Sequence, residues 1–158
     1  MKEIPLTQGQ IALVDDEDYE NLIQYKWQAQ INRKKDAYYV VRTGGINMAQ
    51  QILGYYGRML IDHKDGNPLN NQRNNLRLCT NQYNQMNRKP NKNSLSRFKG
   101  ITLNRYDHRW HVRIVHNKKR ISLGEYTTEK EAALAYNEAA IKYFGEFARL
   151  NVIEEDEV

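Results

Sequence analysis

The tightest constraint on the fold lies between residues 96 and 151. In "RWHVRIV" apolar and polar residues alternate, so Trp110, Val112 and Ile114 share one face of a strand while Arg109, His111 and Arg113 share the other. "GITLN" and "RISLGEY" read as two more short strands separated by polar turns. "TTEKEAALAYNEAAIKYFG" reads as a helix, with a capping box at Thr128 and Glu131, an alanine-filled interior and Gly145 as its stop. Ala132, Ala135 and Ala139 recur at helical spacing and are small enough for a sheet to approach closely. With the apolar strand face packed on that helix, an open face remains, carrying Thr102, Asn104, Arg109, His111, Arg113, Arg120 and Ser122. The expected product is an antiparallel sheet with one greasy side and one basic, hydrogen-bonding side.

The rest of the chain is read against its composition. A chain of 158 residues, 40% hydrophobic and 27% charged, favours small modules with modest cores over one large body. Cys79 is the only cysteine, which excludes an internal disulfide and any zinc finger or ribbon built on paired cysteines, so no zinc is expected. No apolar run is long enough to cross a bilayer, no basic helix has an apolar face bearing Trp, and "MKEIPLTQGQ" lacks a signal-peptide core. No membrane partner is expected, and the expected location is the cytoplasm. The net charge of +5 is uneven: residues 1–60 balance at zero, 61–93 carry +4, 94–151 carry +5 and the last seven carry −4. Two successive basic regions point to an anionic partner, with nucleic acid favoured.

The middle of the chain carries the chemistry. "IDHKDGNPLNNQRNNLRLCTNQYNQMNRK" is rich in asparagine, and its only acids and histidines are Asp62, His63 and Asp65. "RMLIDH" and "NLRLCT" read as strands around the long turn "KDGNPLNNQRN", and "NQYNQMNRK" reads as a helix that Thr80 or Asn81 could cap. Such a unit can gather Asp62, His63, Asn75 and Asn84. Phosphodiester hydrolysis needs a base to activate water and a cation to stabilise charge on the phosphate. His63 suits the base if an amide oxygen accepts from its other ring nitrogen and holds the ring still. Asp62, on the opposite side of the strand, and Asn84 offer hard oxygen donors suited to magnesium or manganese.

"DHKDGNPLNNQRNNLRLCTNQYNQMN" closely resembles the HNH endonuclease motif in the form found in phage and intron-encoded homing endonucleases. The resemblance implies His63 as general base, Asn75 as the residue that orients it, and Asp62 and Asn84 as ligands of one divalent metal ion, Mg2+ or Mn2+. The family's last histidine is Asn84 here, which implies weaker metal binding, and Asn70, Asn71 and their neighbours would brace the long turn in place of zinc. The C-terminal stretch "FKGITLNRYDHRWHVRIVHNKKRISLGEYTTEKEAALAYNEAAIKYFGEFARLN" independently resembles an Apetala-2/ethylene-response-factor DNA-binding domain. That resemblance implies a sheet that enters the major groove and DNA contacts from Lys99, Thr102, Asn104, Tyr106, Arg109 and Arg120.

Residues 1–60 resemble the region that precedes the motif in phage HNH proteins, with a strand at "QIALVD", a helix starting in "DDEDYENLIQYKW", a hairpin in "WQAQINRKKDAYYVVRT" and a short helix in "INMAQQILGYYG" stopped by Gly57. Relatives often carry His-Arg after "INM", where this chain has Ala49, Gln50 and Gln51. The expected class is α+β, with a small N-terminal α/β region (1–58) and a central ββα-metal unit (59–89). A linker (90–95) leads to a three-stranded antiparallel sheet on one helix (96–151), followed by an acidic tail (152–158). The expected activity is metal-dependent cleavage of double-stranded DNA, by a monomer or a dimer assembled on DNA. The rivals are a catalytically inactive sequence-specific DNA-binding regulator and a nuclease directed at RNA.

Overall fold

The computed structural model describes residues 1–32, 38–88, 90 and 94–154. The chain is α+β and forms two compact units, Met1–Asn81 and Gln82–Val158.

In the first unit β1 (Lys2–Pro5) pairs antiparallel with β2 (Ile11–Val14). The sequence reading missed β1: three of its four residues are exposed and only Ile4 is buried, so no periodic signal marks it. Helix α1 (Asp16–Ile23) opens with Asp16, Glu17 and Asp18 in its first turn, where the helix dipole favours negative charge. The expected hairpin forms from β3 (Trp27–Ile31) and β4 (Tyr38–Arg42), with Trp27 opposite Arg42; its turn, 33–37, lies outside the described residues. β5 (Ile46–Asn47) adds a short third strand.

Helix α2 (Met48–Leu53) is capped by Asn47 and Gln50, each bonding the other's end of the first turn. It stops at Gly54, not at Gly57. Gly54 adopts the left-handed conformation (φ 60°) and its N–H reaches the carbonyls of Gln50 and Gln51, a geometry a residue with a Cβ resists. β6 (Leu60–His63) and β7 (Leu76–Cys79) make a two-stranded ribbon with Asp62 opposite Arg77. Ile4, Val14, Leu22, Trp27, Val40, Met48, Ile52 and Leu76 share one core, so β7 is anchored to the N-terminal elements. The indole N–H of Trp27, buried in that core, is satisfied by the Leu22 carbonyl at 2.9 Å.

Helix α3 (Asn81–Met86) follows β7 directly, and Met86 lies in the core of the second unit. The sheet there has the order β10 (Lys119–Tyr126), β9 (Trp110–His116), β8 (Ile101–Leu103), antiparallel throughout, and packs on α4 (Glu129–Phe144). The capping box at Thr128 and Glu131 and the stop at Gly145 are as expected. The buried helix face is Ala132, Ala133, Tyr136, Ala139, Ala140 and Phe144; Ala135 is only half-buried, so the stripe runs one residue away from the expected alanine spacing. Gly100 makes the close approach possible: with φ +80°, a Cβ there would stand 2.2 Å from the Tyr136 ring and 2.8 Å from the Arg113 carbonyl. Asn151 closes the unit. Its side chain bonds the backbone N–H and carbonyl of Lys99 (2.7 and 3.2 Å), and its backbone pairs with the Asn137 amide (2.7 and 2.9 Å).

Candidate active site and nucleic-acid interface

His63 ends β6 at the mouth of the long turn, half-buried. The amide that touches its ring is Asn71, whose Oδ1 lies 3.3 Å from Nε2. An amide oxygen only accepts, so Nε2 donates in this contact. Burial holds the ring below its ordinary pKa, opposed by the Asn71 bond and by the charges of Asp65 and Asp62. The imidazole is therefore neutral near pH 7, the state a base requires.

Asn75 is buried and braces the turn instead. Its Oδ1 accepts from the Asp65 N–H at 3.0 Å, and its Nδ2 donates to Asp65 Oδ1 at 3.0 Å and to the Asn70 carbonyl at 2.7 Å. The sequence reading gave Asn75 the orienting role and Asn71 a bracing one; the hydrogen bonds put Asn71 on the ring and Asn75 within the turn. Asp65 is the hub of the turn. Burial pushes its carboxyl up, but bonds from the Asn67 N–H and from the amides of Asn70 and Asn75 outweigh this and hold it below the usual carboxylate value.

The turn is also tied to the N-terminal region. Leu13 on β2 bridges it, donating to the Leu69 carbonyl and accepting from the Asn71 N–H, each at 2.8 Å. Asp15 accepts from the Arg73 N–H at 2.7 Å and from Gln72 at 2.9 Å, and Asp18 holds the Arg73 guanidinium through both oxygens at 2.6 and 2.8 Å. The acidic run at the start of α1 thus does more than suit the helix dipole. Ala49, Gln50 and Gln51 also have local tasks: Ala49 is buried in the core, Gln50 completes the cap of α2, and Gln51 accepts from Arg42 at 2.8 Å.

Asp62 is 5% exposed, and its Oδ2 accepts from Arg77 Nε and Nη2 at 2.9 and 2.7 Å. Arg77 was not singled out from the sequence; only the strand register puts it across from Asp62. A carboxylate such as Asp62 suits a hard divalent cation, but the Arg77 guanidinium already holds its Oδ2. Asn84 sits half-buried on α3 in the second unit.

On the second unit's sheet, register sets Thr102, His111 and Glu125 in one row across the three strands, with Arg113 beside Ser122 and Arg120 beside Val115. Thr102, Arg109, Arg113, Arg120 and Ser122 are exposed, and Tyr106 is 98% exposed at the tip of the β8–β9 turn. A cleft of about 440 Å³ on this face includes Arg105, which the sequence reading passed over although it adjoins Tyr106. Asn104 builds the turn, accepting from the Tyr106 N–H at 3.1 Å and donating to Asp107 at 2.7 Å. The face is less uniformly basic than expected: His111 Nε2 stands 3.3 Å from Asp107 and 3.4 Å from Glu125, the one group of three potential metal-holding side chains among the described residues. Lys99 departs from the expected face. Its ammonium turns onto the carbonyls of Gln85 and Met86 at the end of α3, and burial, with Arg149 and Arg88 nearby, lowers its pKa to about 8.

Comparison with known proteins bears on both regions. Residues 48–86 match the HNH endonuclease family, a span that begins with α2, upstream of the boundary read from the sequence. An uncharacterized HNH endonuclease of Acanthamoeba polyphaga mimivirus is 37% identical over 94 residues, 60% of this chain and 48% of that protein. An AP2-like ethylene-responsive transcription factor of Arabidopsis thaliana is 42% identical over 53 residues, 32% of this chain and 15% of its own length. The Arabidopsis ethylene-responsive transcription factor WRI1 is 41% identical over 59 residues, 36% of this chain and 14% of its own. The chain thus spans about half the mimivirus relative and a small part of the plant ones. Among the described residues no helix is long and apolar enough to cross a membrane. Residues 48–86 are thus similar to HNH endonucleases, and the chain also carries a region similar to AP2-like domains.

Proposed function

We propose that the protein is a sequence-recognising DNA endonuclease of homing type that hydrolyses a phosphodiester with His63 as general base. The observation that carries this reading is the His63 ring, held through Nε2 on Asn71 at the mouth of the braced turn. His63 takes a proton from water as the water oxygen forms a bond to phosphorus, and the bond from phosphorus to the leaving sugar oxygen breaks. A divalent cation, if held by Asp62, would supply positive charge to the phosphate. Asn71 keeps the ring in one tautomer, Asn75 and Asp65 keep the turn in shape, and Leu13 fixes the backbone of Asn71.

Recognition falls to the sheet, where Arg109, Arg113 and Arg120 offer paired donors to guanine edges or phosphates and Thr102 and Ser122 add hydroxyls. The partner is double-stranded DNA, met by a monomer or by a dimer assembled on it. One observation favours a second reading, a DNA-binding regulator with a retired nuclease site: Asp62 already pairs with Arg77, and an asparagine stands at position 84.

Cleavage of supercoiled plasmid carrying candidate target DNA, with magnesium, with manganese and with chelator, separates the two. The nuclease reading expects nicked or linear product that needs metal and falls about 10²–10⁴-fold in His63→Ala, with DNA binding kept. Metal-independent product, or full activity in the variant, sinks it. Tight binding without cleavage across a broad DNA library establishes the regulator.

A further inference from the structure

One group of side chains on the reading face has the wrong sign for a DNA partner. Asp107 in the β8–β9 turn and Glu125 on β10 are exposed on the same face as Arg109, Arg113 and Arg120. Both carboxylates converge on one nitrogen: His111 Nε2 lies 3.3 Å from Asp107 Oδ2 and 3.4 Å from Glu125 Oε1. A tetrahedral zinc ion with bonds of about 2.0–2.1 Å holds its ligand atoms about 3.3–3.4 Å apart, the spacing of these two pairs. All three ligand atoms lie within 4.8 Å of one another, so small side-chain rotations close the set on one ion. The arrangement is built in advance. Strand register sets His111 beside Glu125, and Asp107 spends Oδ1 on the Arg109 N–H at 2.9 Å, leaving Oδ2 toward the imidazole. Asn104, fixed by the Tyr106 N–H on its Oδ1, donates Nδ2 to that same Oδ2 at 2.7 Å, the outer support that metal-bound carboxylates receive. His111 is 20% exposed and lines the cleft of about 440 Å³, so an ion and its water reach Nε2 from the open side. The lone Cys79 argues against zinc held by paired cysteines and has no bearing on a site of one imidazole and two carboxylates.

We propose that Asp107, His111 and Glu125 bind a divalent transition-metal ion of the zinc type, and that the bound ion strengthens DNA binding by cancelling two negative charges on the sheet. The second clause rests on the DNA-reading role of the sheet given above. The ion takes the place of the proton on Nε2, and water completes a four-coordinate shell. Two carboxylates balance the charge of the dication. Without the ion they repel phosphate, and with it the arginines on either side act on a face of one sign. The site lies wholly within the second unit and needs nothing from the first.

The test uses the full chain and zinc chloride. Calorimetric titration without DNA should show a zinc site that is kept in His63→Ala and weakened about 10–100-fold in Glu125→Gln. Glu125 is half exposed, so this substitution leaves the core untouched. Cobalt in place of zinc should give the visible absorption of a four-coordinate centre in the wild type and not in Glu125→Gln. DNA binding is then followed by fluorescence anisotropy at low salt, with chelator and with zinc. Zinc should tighten wild-type binding about tenfold. Glu125→Gln, which removes one of the two charges by itself, should bind more tightly than the wild type in chelator and respond little to zinc. Equal zinc affinity in wild type and Glu125→Gln overturns the site and leaves the three side chains as an ion-paired brace of the turn. Zinc bound as expected with wild-type DNA affinity unchanged overturns the effect on binding. A wild type that takes up zinc at this site but binds no DNA removes that effect together with the DNA-reading role, and leaves the metal site established on its own.

Discussion

The turn that carries His63 and the sheet that carries Arg113 solve opposite problems. Around the turn, polar side chains are buried and spend their bonds on one another: Asn71, Asn75, Asp62 and Asp18 are each under 8% exposed. On the sheet the burial is apolar, through Val112, Ile114, Tyr136 and the α4 alanines, and the polar side chains face outward. A base must sit in one orientation and one tautomer, which a saturated amide network provides. A reading surface must exchange water for DNA, which saturated groups cannot do. Polar substitutions should therefore act mainly through stability and catalysis in the first unit, and mainly through affinity in the second.

The largest expected effect on stability is at Arg77, which is 10% exposed against Asp62 at 5%. Arg77→Ala leaves a buried carboxylate without its cation and should cost about 3–5 kcal/mol by urea denaturation. Asp62 and Arg77 replaced together by apolar residues should cost much less. An Arg77→Ala protein as stable as the wild type would show that water reaches Asp62 and that the first unit is not the closed polar network described.

The two amides of the turn sharpen the contrast further. Asn75→Ala removes three bonds from a buried position and should destabilise by about 2–3 kcal/mol, with cleavage lost in proportion to the unfolded fraction. Asn71→Ala removes the acceptor on the ring, so it should lower the cleavage rate in the fully folded protein, where Asn75→Ala at permissive temperature does not. Comparing kcat with the unfolding midpoint for both variants checks the assignment. If Asn75→Ala is the variant that loses rate without losing stability, the roles read from the sequence were right and the geometry misleads.

Sequence legibility followed the same divide. The sheet and α4 could be read because burial there obeys periodicity, and Thr128, Glu131 and Gly145 are local signals for local structure. The chemistry of the turn could be read as a residue set but not as a wiring diagram. Which amide meets His63 depends on how Leu13, more than fifty residues earlier, grips the backbone of Asn71, and nothing in the local spacing encodes that. β1 escaped because only Ile4 of its four residues is buried, and Gly54 replaced Gly57 because the left-handed cap forms where α2 runs out of core. The contacts of Lys99 with the carbonyls of Gln85 and Met86 were not legible, because those residues lie in a segment assigned to the other module.

On the sheet the expected effect is on binding. Arg113 is exposed and its strand pairing, to Ser122 and to the Gly100 carbonyl, runs through the backbone, so Arg113→Ala should leave the melting temperature nearly unchanged. It should weaken DNA binding by about 1–3 kcal/mol if the guanidinium meets a base. If it meets a phosphate instead, all sequences should weaken alike and the salt slope should fall by about one. Fluorescence anisotropy over a salt series distinguishes these. Loss of fold with unchanged affinity would reverse the contrast between the two units.

The smallest effect is a pH dependence of stability, and it resides at Lys99, the basic residue of the second unit that faces inward. Its folded pKa of about 8 lies below the ordinary 10.5 of the unfolded chain. Below pH 8 both states carry the proton, and the cost of holding an ammonium in a half-buried site beside Arg88 and Arg149 is present in full. Between pH 8 and 10.5 the unfolded chain binds more protons, so stability rises with pH across that window. Tyr136 works the other way: burial raises its pKa above the ordinary 10.0, so the stability from its neutral burial is lost as pH climbs past 10 and the unfolded tyrosine ionises. The second unit should therefore gain stability from pH 8 toward 10 and lose it beyond. Lys99→Met should remove the gain and keep the loss. Urea midpoints at pH 7, 8, 9, 10 and 11 for both proteins measure the difference directly. If the two curves run parallel, the Lys99 ammonium is as well solvated folded as unfolded, and its contact with the end of α3 carries no electrostatic cost.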